Sequence, residues 1–181
     1  MFSEFNIEKY YKKNPPPTGS YTTFAEIKEL TKIPINKKFI KDHDDPIPIF
    51  QKVADRYGLE LPINDLGILL TESRPVIIDL KDFFNRPRPK DIAIKLCINL
   101  PNVELNSMKT PSYPSGHSAQ GFLLGYFLSA MYPKYAFDFM KAAKNISYSR
   151  NVARCHYRSD SKFGEYLGKE MFNYIKDSYG F

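Results

Sequence analysis

Three short stretches of the sequence carry the residues best suited to chemistry. Together they supply three fixed cations, two imidazoles, one carboxylate and a small Ser-Gly turn. In chain order they are Lys81 with Arg88-Pro89, then Pro114-Ser115-Gly116-His117, then Ser149-Arg150 with His156 and Asp160. Fixed cations and free backbone N–H groups suit an anion with several oxygens, and phosphate is the commonest such anion. Two histidines beside that cradle predict one that attacks phosphorus and one that protonates the leaving group.

The spacing within each stretch suits this chemistry. Lys81 and Arg88 are seven residues apart, so two turns of helix would bring them to one side. Gly116 lets the backbone approach a ligand, and the start of the following helix presents unpaired N–H groups to an anion. His156 and Asp160 are one helical turn apart, so the carboxylate can fix the tautomer of the ring and leave its other nitrogen free to attack.

Each stretch also has a plainer explanation when it is taken alone. Lys81 and Arg88 would serve as a basic patch at a helix end, His117 as a helix cap, and His156 with Asp160 as a structural pair. The prediction of a site therefore depends on all three stretches occurring together. It requires distant parts of the chain to meet around one cavity.

Taken together, the three stretches resemble the signature of the phosphatidic acid phosphatase type 2 superfamily. That signature reads Lys-x6-Arg-Pro, then Pro-Ser-Gly-His, then Ser-Arg-x5-His-x3-Asp, and every fixed position is present between residues 81 and 160. The family includes soluble bacterial acid phosphatases, membrane lipid phosphatases and vanadium haloperoxidases.

The resemblance implies a role for each of these residues. His156 would be the nucleophile that forms a phosphohistidine, Asp160 would orient it, and His117 would be the general acid. The phosphoryl oxygens would be bound by Lys81, Arg88, Ser115, Gly116 and Arg150. No metal or other cofactor is implied, because fixed cations stabilise the charge that Mg²⁺ stabilises elsewhere. Vanadate is expected to act as an inhibitor or phosphate mimic.

The implied function is metal-independent hydrolysis of phosphomonoesters or diphosphates, as in an acid phosphatase. Three alternatives stay open: a peripheral lipid-phosphate phosphatase, a vanadate-dependent haloperoxidase, and a non-catalytic protein that binds phosphate or nucleic acid. Arg154 and Arg158 add positive charge within the third stretch. If they face the pocket, they favour substrates with more than one phosphate.

Composition predicts a soluble protein, and the resemblance implies a small phosphorylated substrate. The net charge of +6 comes from scattered basic residues, so no nucleic-acid partner is expected. The N-terminus lacks the apolar run of a signal peptide, and the most apolar window, Phe122 to Tyr132, is too short to span a membrane. These features predict a cytoplasmic location, while peripheral contact with an anionic membrane and the oligomeric state stay open.

Helical periodicity and the spacing of prolines predict an all-α fold, a compact single-domain helical bundle. Residues 1–20, which end in a Pro-rich run, are predicted to be an extended N-terminal arm on the domain formed by residues 21–181. Residues 37–45 are predicted to be a solvated loop, because His43 has no second His at metal-ligand spacing. Helices are predicted over about 23–32, 46–57, 64–84 with one or two pieces around Pro75, 117–132, from Pro133 to about Arg150, and from Ser159 onward. Residues 90–113 suit a strand or a short helix equally.

Overall fold

The computed structural model describes residues 1–181 and contains helices and no strands. Its α-helices are α1 (Tyr21–Lys32), α2 (Lys37–Asp42), α3 (Pro46–Tyr57), α4 (Ile63–Phe84), α5 (Pro89–Lys95), α6 (Gly116–Met131), α7 (Ala136–Val152) and α8 (Arg158–Ile175). Short 3-10 turns lie at Glu8–Tyr10, Asn106–Lys109, Pro133–Tyr135 and Lys176–Tyr179. The prediction of an all-α fold is confirmed.

Helix α6 lies at the centre of the molecule. Its sequence is apolar on every side, as expected of a helix with neighbours all around it, and Leu123, Leu124 and Phe127 are fully buried. Its most extensive contacts are with α7 and α8, and it also packs against α3 and α4. None of the helices combines the length and the apolarity needed to cross a lipid bilayer.

Two glycines let α8 approach the backbone of α6. A Cβ atom added at Gly164 would lie 2.5 Å from the carbonyl oxygen of Ser115 and 2.9 Å from the Cβ of Ser118. Gly168, one turn later, faces the backbone of Ala119 in the same way. The first turns of the two helices are therefore adjacent, and the Ser115 N–H donates to the Asp160 carbonyl at 3.1 Å.

Several helix predictions agree with the structure. Helix α3 begins at Pro46, where the Asp45 side chain accepts from the Ile47 N–H, and ends at Gly58 with φ of +64°. Helix α4 is continuous through Pro75, which settles the choice between one piece and two. In the ambiguous region, α5 covers Pro89–Lys95, and a single 3-10 turn follows at Asn106–Lys109.

The predicted loop at residues 37–45 is wrong, because α2 occupies most of it. The Asn36 side chain accepts from the Phe39 N–H at 2.9 Å, which caps the helix, and Ile40 is buried among apolar side chains of α7 and its C-terminal end. A six-residue helix has too few turns to show an apolar stripe in the sequence.

The N-terminal segment, residues 1–20, packs on α8 through aromatic side chains. Phe2, Phe5 and Tyr10 are buried in the main core cluster. The ring of Phe5 stacks on Tyr10 at 5.5 Å and meets Tyr174 of α8 edge-on at 5.4 Å, centroid to centroid. The division into an arm and a domain stays a prediction, but the segment contributes to the core of the molecule.

Candidate active site

The three stretches meet at one cavity of about 630 Å³. Its wall includes Lys81 from α4, Gly116 and His117 from the first turn of α6, and His156 from the segment between α7 and α8. Residues far apart in the sequence come together here because α4 and α8 both pack on α6.

Backbone carbonyls hold two of the predicted cations. The Lys81 Nζ donates to the Pro111 oxygen at 2.5 Å, and burial together with the nearby Arg88 guanidinium lowers the pKa of Lys81 to about 7. The Arg88 guanidinium donates to the carbonyls of Thr110 and Cys155, at 2.7–3.1 Å. Since no carboxylate pairs with either side chain, their positive charge is available to an anion.

His156 is held between a carboxylate and a guanidinium. Its Nδ1 lies 3.1 Å from Asp160 Oδ2, and its Nε2 lies 3.0 Å from Arg88 Nη1. We assign the ring proton to Nδ1, because the carboxylate can only accept, and Nε2 then keeps a lone pair. Burial, reinforced by the charges of Arg88 and Lys81, lowers the pKa of His156 well below its ordinary value. The ring is therefore neutral at physiological pH.

Asp160 is fully buried and accepts from several donors. Its Oδ2 accepts from the Ser112 hydroxyl at 2.5 Å and from the Tyr157 N–H at 3.0 Å, in addition to His156. Its Oδ1 is paired with Arg86 at 2.6 Å. Burial raises the pKa of Asp160, and Arg86 and these hydrogen bonds oppose the rise. The carboxylate is thus fixed in position by four partners from three segments of the chain.

Arg86 extends this network to the N-terminal helix. Its Nη2 lies 3.2 Å from Glu26 of α1 and 3.3 Å from the Thr23 hydroxyl. Its guanidinium carbon lies 3.8 Å from the centre of the Tyr157 ring, a cation–π contact. The charge of Arg86 is therefore shared by two carboxylates and an aromatic face.

His117 and Arg150 meet at a carboxylate that sequence reasoning missed. Asp44 Oδ1 lies 2.7 Å from Arg150 Nη1 and 3.5 Å from His117 Nε2. Burial lowers the pKa of His117, and Asp44 works against that fall. In return, the hydrogen bond from His117 and the charge of Arg150 hold the pKa of Asp44 far below its usual range. Asp44 belongs to the segment that the sequence predicted to be a solvated loop.

Three predicted phosphate ligands, Arg88, Ser115 and Arg150, are not among the residues that line the cavity. Arg150 is fully buried; it donates to the Ser149 hydroxyl at 2.9 Å as well as to Asp44. The Ser115 hydroxyl caps α6 by accepting from the Ser118 N–H at 3.3 Å. Their roles toward phosphate stay predictions.

A family comparison matches this arrangement. The model of the PAP2 superfamily matches residues 66–175, which contain all three stretches. The chain belongs to the PAP2 superfamily. The resemblance seen in the sequence is thereby confirmed.

Two curated relatives of this PAP2 protein are non-specific acid phosphatases. The one from Salmonella typhimurium strain LT2 is 33% identical over 92 residues, which cover 51% of this chain and 36% of that protein. The one from Salmonella typhi is 32% identical over 92 residues, with the same coverage. The match thus spans about a third of the length of these relatives.

A solved structure resembles almost the whole fold. It is described as the crystal structure of the first transmembrane PAP2 type phosphatidylglycerolphosphate phosphatase, from Bacillus subtilis. The superposition covers 94% of this chain and 81% of that chain, with a TM-score of 0.50 and 17% sequence identity. The likeness concerns the fold alone. Since that neighbour is a transmembrane protein, the location of this PAP2 chain in solution stays a prediction.

Arg154 and Arg158 do not line the pocket of this PAP2 protein, so the condition for their favouring substrates with several phosphates is not met. Arg154 has a positive φ of 58°, and its guanidinium donates to the carbonyls of Thr31 and Ile33 at the end of α1. Arg158 is exposed and lies 4.0 Å from Glu29. Sequence proximity to His156 could not reveal the direction of either side chain.

Arg86 and Asp44 are the site residues that the sequence did not reveal. Arg86 occupies a position between Lys81 and Arg88 that the signature does not specify, and its pairing with Asp160 spans 74 residues. Asp44 reaches Arg150 across 106 residues. Neither contact has a periodic signature, so only the folded chain shows it.

Proposed function

We propose that this PAP2 protein is a metal-independent phosphatase that hydrolyses small phosphomonoesters or diphosphates through a phosphohistidine on His156. The observation that carries the proposal is the pairing of His156 Nδ1 with Asp160 at 3.1 Å. It leaves Nε2 as a neutral nucleophile on the wall of a cavity that also contains Lys81 and His117.

In the first half of the reaction, His156 Nε2 attacks phosphorus and the bond from phosphorus to the leaving oxygen breaks. His117 donates a proton to that oxygen, so the product leaves as a neutral alcohol or a protonated phosphate. Lys81, Arg88 and the Gly116 N–H stabilise the negative charge on the phosphoryl oxygens during the transfer.

In the second half, water attacks the phosphorus of the phosphohistidine. His117, now neutral, takes the proton of the water, the P–N bond breaks, and phosphate leaves. This step restores both histidines to their starting protonation states, so no metal or cofactor is consumed or required.

Arg150 and Ser115 complete the proposed set of phosphate ligands. A guanidinium has five N–H donors, and three contacts of Arg150 occupy some of them: Ser149, Asp44 and a long one to the His43 carbonyl. Two donors remain for a phosphoryl oxygen. The names of the Salmonella relatives support a monoester as substrate.

The first test is His156→Ala with p-nitrophenyl phosphate as substrate. We expect hydrolysis to be lost while vanadate and phosphate still bind, because the cations of the cradle remain; calorimetry of phosphate binding is the control for folding. An alkaline quench of the wild-type protein during turnover should trap an acid-labile phosphoenzyme, and EDTA should not reduce the rate. Turnover by the alanine variant would contradict the proposal.

The second test concerns the leaving group. His117→Ala should slow the hydrolysis of alkyl phosphates far more than that of aryl phosphates with acidic phenols, because only poor leaving groups need a proton. General acid catalysis typically contributes about 10²–10⁴-fold. Equal losses across the series would remove His117 from the role of general acid.

A further inference from the structure

The cavity has two cations beyond those assigned to the reacting phosphate. Arg74 of α4 and Lys109 of the turn at Asn106–Lys109 both line it, and both side chains belong to exposed residues. The three-stretch signature assigns them no role. A cavity of about 630 Å³ also has room for much more than a single phosphoryl group.

Neither cation has a carboxylate partner. Arg74 and Lys109 take part in no ion pair and no side-chain hydrogen bond, and the wall of the cavity contains no Asp or Glu. Two nearby carboxylates of α4 are engaged elsewhere: Glu72 pairs with the N-terminal amine at 3.0 Å, and Asp79 accepts from the Tyr11 hydroxyl at 2.8 Å. The charge on this side of the cavity is therefore uncompensated.

The position of Arg74 separates it from the cations assigned to the reacting phosphate. It precedes Lys81 by seven residues on the same face of α4, about 10 Å along the helix axis. Gln120, one turn after His117 on α6, donates to the Leu70 carbonyl at 2.9 Å and to the Ser73 hydroxyl at 3.3 Å, next to Arg74. Arg74 is thus two helical turns from Lys81 along one wall of the cavity, where it can contact a part of the substrate other than the reacting phosphate.

We propose that Arg74 and Lys109 form a second anion subsite that binds a phosphate group carried by the leaving part of the substrate. The inference rests on the proposed function, and it specifies substrates with two phosphates, either a diphosphate or a bisphosphate. Arg and Lys suit this task because they make charge-assisted hydrogen bonds to phosphate oxygens. Because both side chains are exposed, the gain in affinity is expected to shrink as salt rises.

The test uses probes that are not hydrolysed. Binding of methylphosphonate, methylenediphosphonate and 1,3-propanediphosphonate is measured by calorimetry to the wild type, to Arg74→Gln, to Lys109→Gln and to the double variant. We expect at least one diphosphonate to bind the wild type about tenfold tighter or more than methylphosphonate, since one charge-assisted contact is worth about that factor. The double variant should lose this advantage and still bind methylphosphonate as the wild type does.

Lys169→Gln is the matched control, because Lys169 is exposed on α8 outside the cavity. It should leave all three Kd values unchanged. Equal Kd values for the three probes in the wild type, or an advantage that survives in the double variant, would overturn the subsite.

The two proposals can fail separately. Phosphonate binding needs no attack by His156, so the subsite is judged by calorimetry, and the phosphatase by release of p-nitrophenol. If the subsite is correct, the double variant keeps the wild-type kcat/KM for p-nitrophenyl phosphate and loses about tenfold or more for a diphosphorylated substrate.

Discussion

At the scale of single residues, two cations of the site, Lys81 and Arg88, are kept apart from its carboxylates, whereas Arg86 and Arg150 are paired with them. Lys81 and Arg88 are bonded to backbone carbonyls, whereas His156 and His117 face Asp160 and Asp44. Carbonyls orient a cation without cancelling its charge, so the cradle keeps its attraction for an anion. The carboxylates instead govern proton position on the imidazoles.

The lowered pKa of Lys81 predicts a pH dependence. Since that pKa is about 7, Lys81 is charged below pH 7 and loses its charge above it, so kcat/KM should fall as pH rises through about 7. In the Lys81→Arg variant the side chain keeps its charge over this pH range. The fall in kcat/KM on the alkaline side should therefore be smaller than in the wild type, even if the absolute rate is lower. The measurement is kcat/KM from pH 5 to 9 for the wild type and for Lys81→Arg with the same substrate, so that ionisation of the substrate affects both profiles equally. Identical normalised profiles would contradict this prediction.

The contact of Asp44 with His117 predicts a second pH effect. Because the carboxylate opposes the fall in the pKa of His117 that burial causes, Asp44→Asn should lower that pKa further. The protonated fraction of His117 at pH 6 then falls, and the hydrolysis of alkyl phosphates should decline at a lower pH than in the wild type. The pH profile of kcat with such a substrate measures this, and an unshifted profile would exclude a role for Asp44 in proton supply.

At the scale of elements, α6 acts as the common support of the site. Its first turn carries Gly116 and His117, and α4 and α8 bring the other two stretches against it. The sequence predicted the long helices well because apolar residues recur at helical spacing over several turns of each helix. It missed α2 and left residues 90–113 open, because six- and seven-residue helices are fixed by caps and contacts from distant segments.

The close approach of α8 to α6 predicts a cost for adding a methyl group. Gly164→Ala should reduce the free energy of unfolding by about 1–3 kcal/mol, because the new Cβ meets the rigid backbone of Ser115. Activity should fall as well, since the displaced turn carries Asp160. Gly67→Ala on α4 is the control: nothing lies within 4 Å of its Cβ, so a gain of up to about 1 kcal/mol is expected. Urea unfolding of both variants decides the matter, and equal effects would contradict the tight crossing.

At the scale of the whole molecule, the N-terminal segment belongs to the core. The sequence predicted an arm from its prolines and gave no sign that three aromatic residues before them would be buried against α8. A composition of 15% aromatic residues shows how much ring surface must be covered, but not which rings meet. The all-α class could be predicted from the apolar periodicity within each segment. Which segments pack against each other could not be predicted from that periodicity.

Burial of this segment predicts a loss of stability on truncating Phe5. Phe5→Ala should cost about 3–5 kcal/mol, because the ring is 7% exposed and lies between Tyr10 and Tyr174. Specific activity of the folded fraction should not change, since the aromatic partners of Phe5, which are Phe2, Tyr10 and Tyr174, are not site residues. Phe137→Ala, at a ring that is 77% exposed, should change stability by no more than about 0.5 kcal/mol. Thermal unfolding compares the two, and equal Tm values would show that the segment is peripheral.

The link from Arg86 to Glu26 sets a limit on how far the chain can be trimmed. The segment that matches the family begins at residue 66. The Arg86 guanidinium, which holds Asp160 in place, is also paired with Glu26, forty residues before that border. A fragment cut to the borders of the family match would bury Arg86 with half of its countercharge missing and open the side of Tyr157 to water. The shortest chain that keeps this site intact is therefore longer than the segment that matches the family.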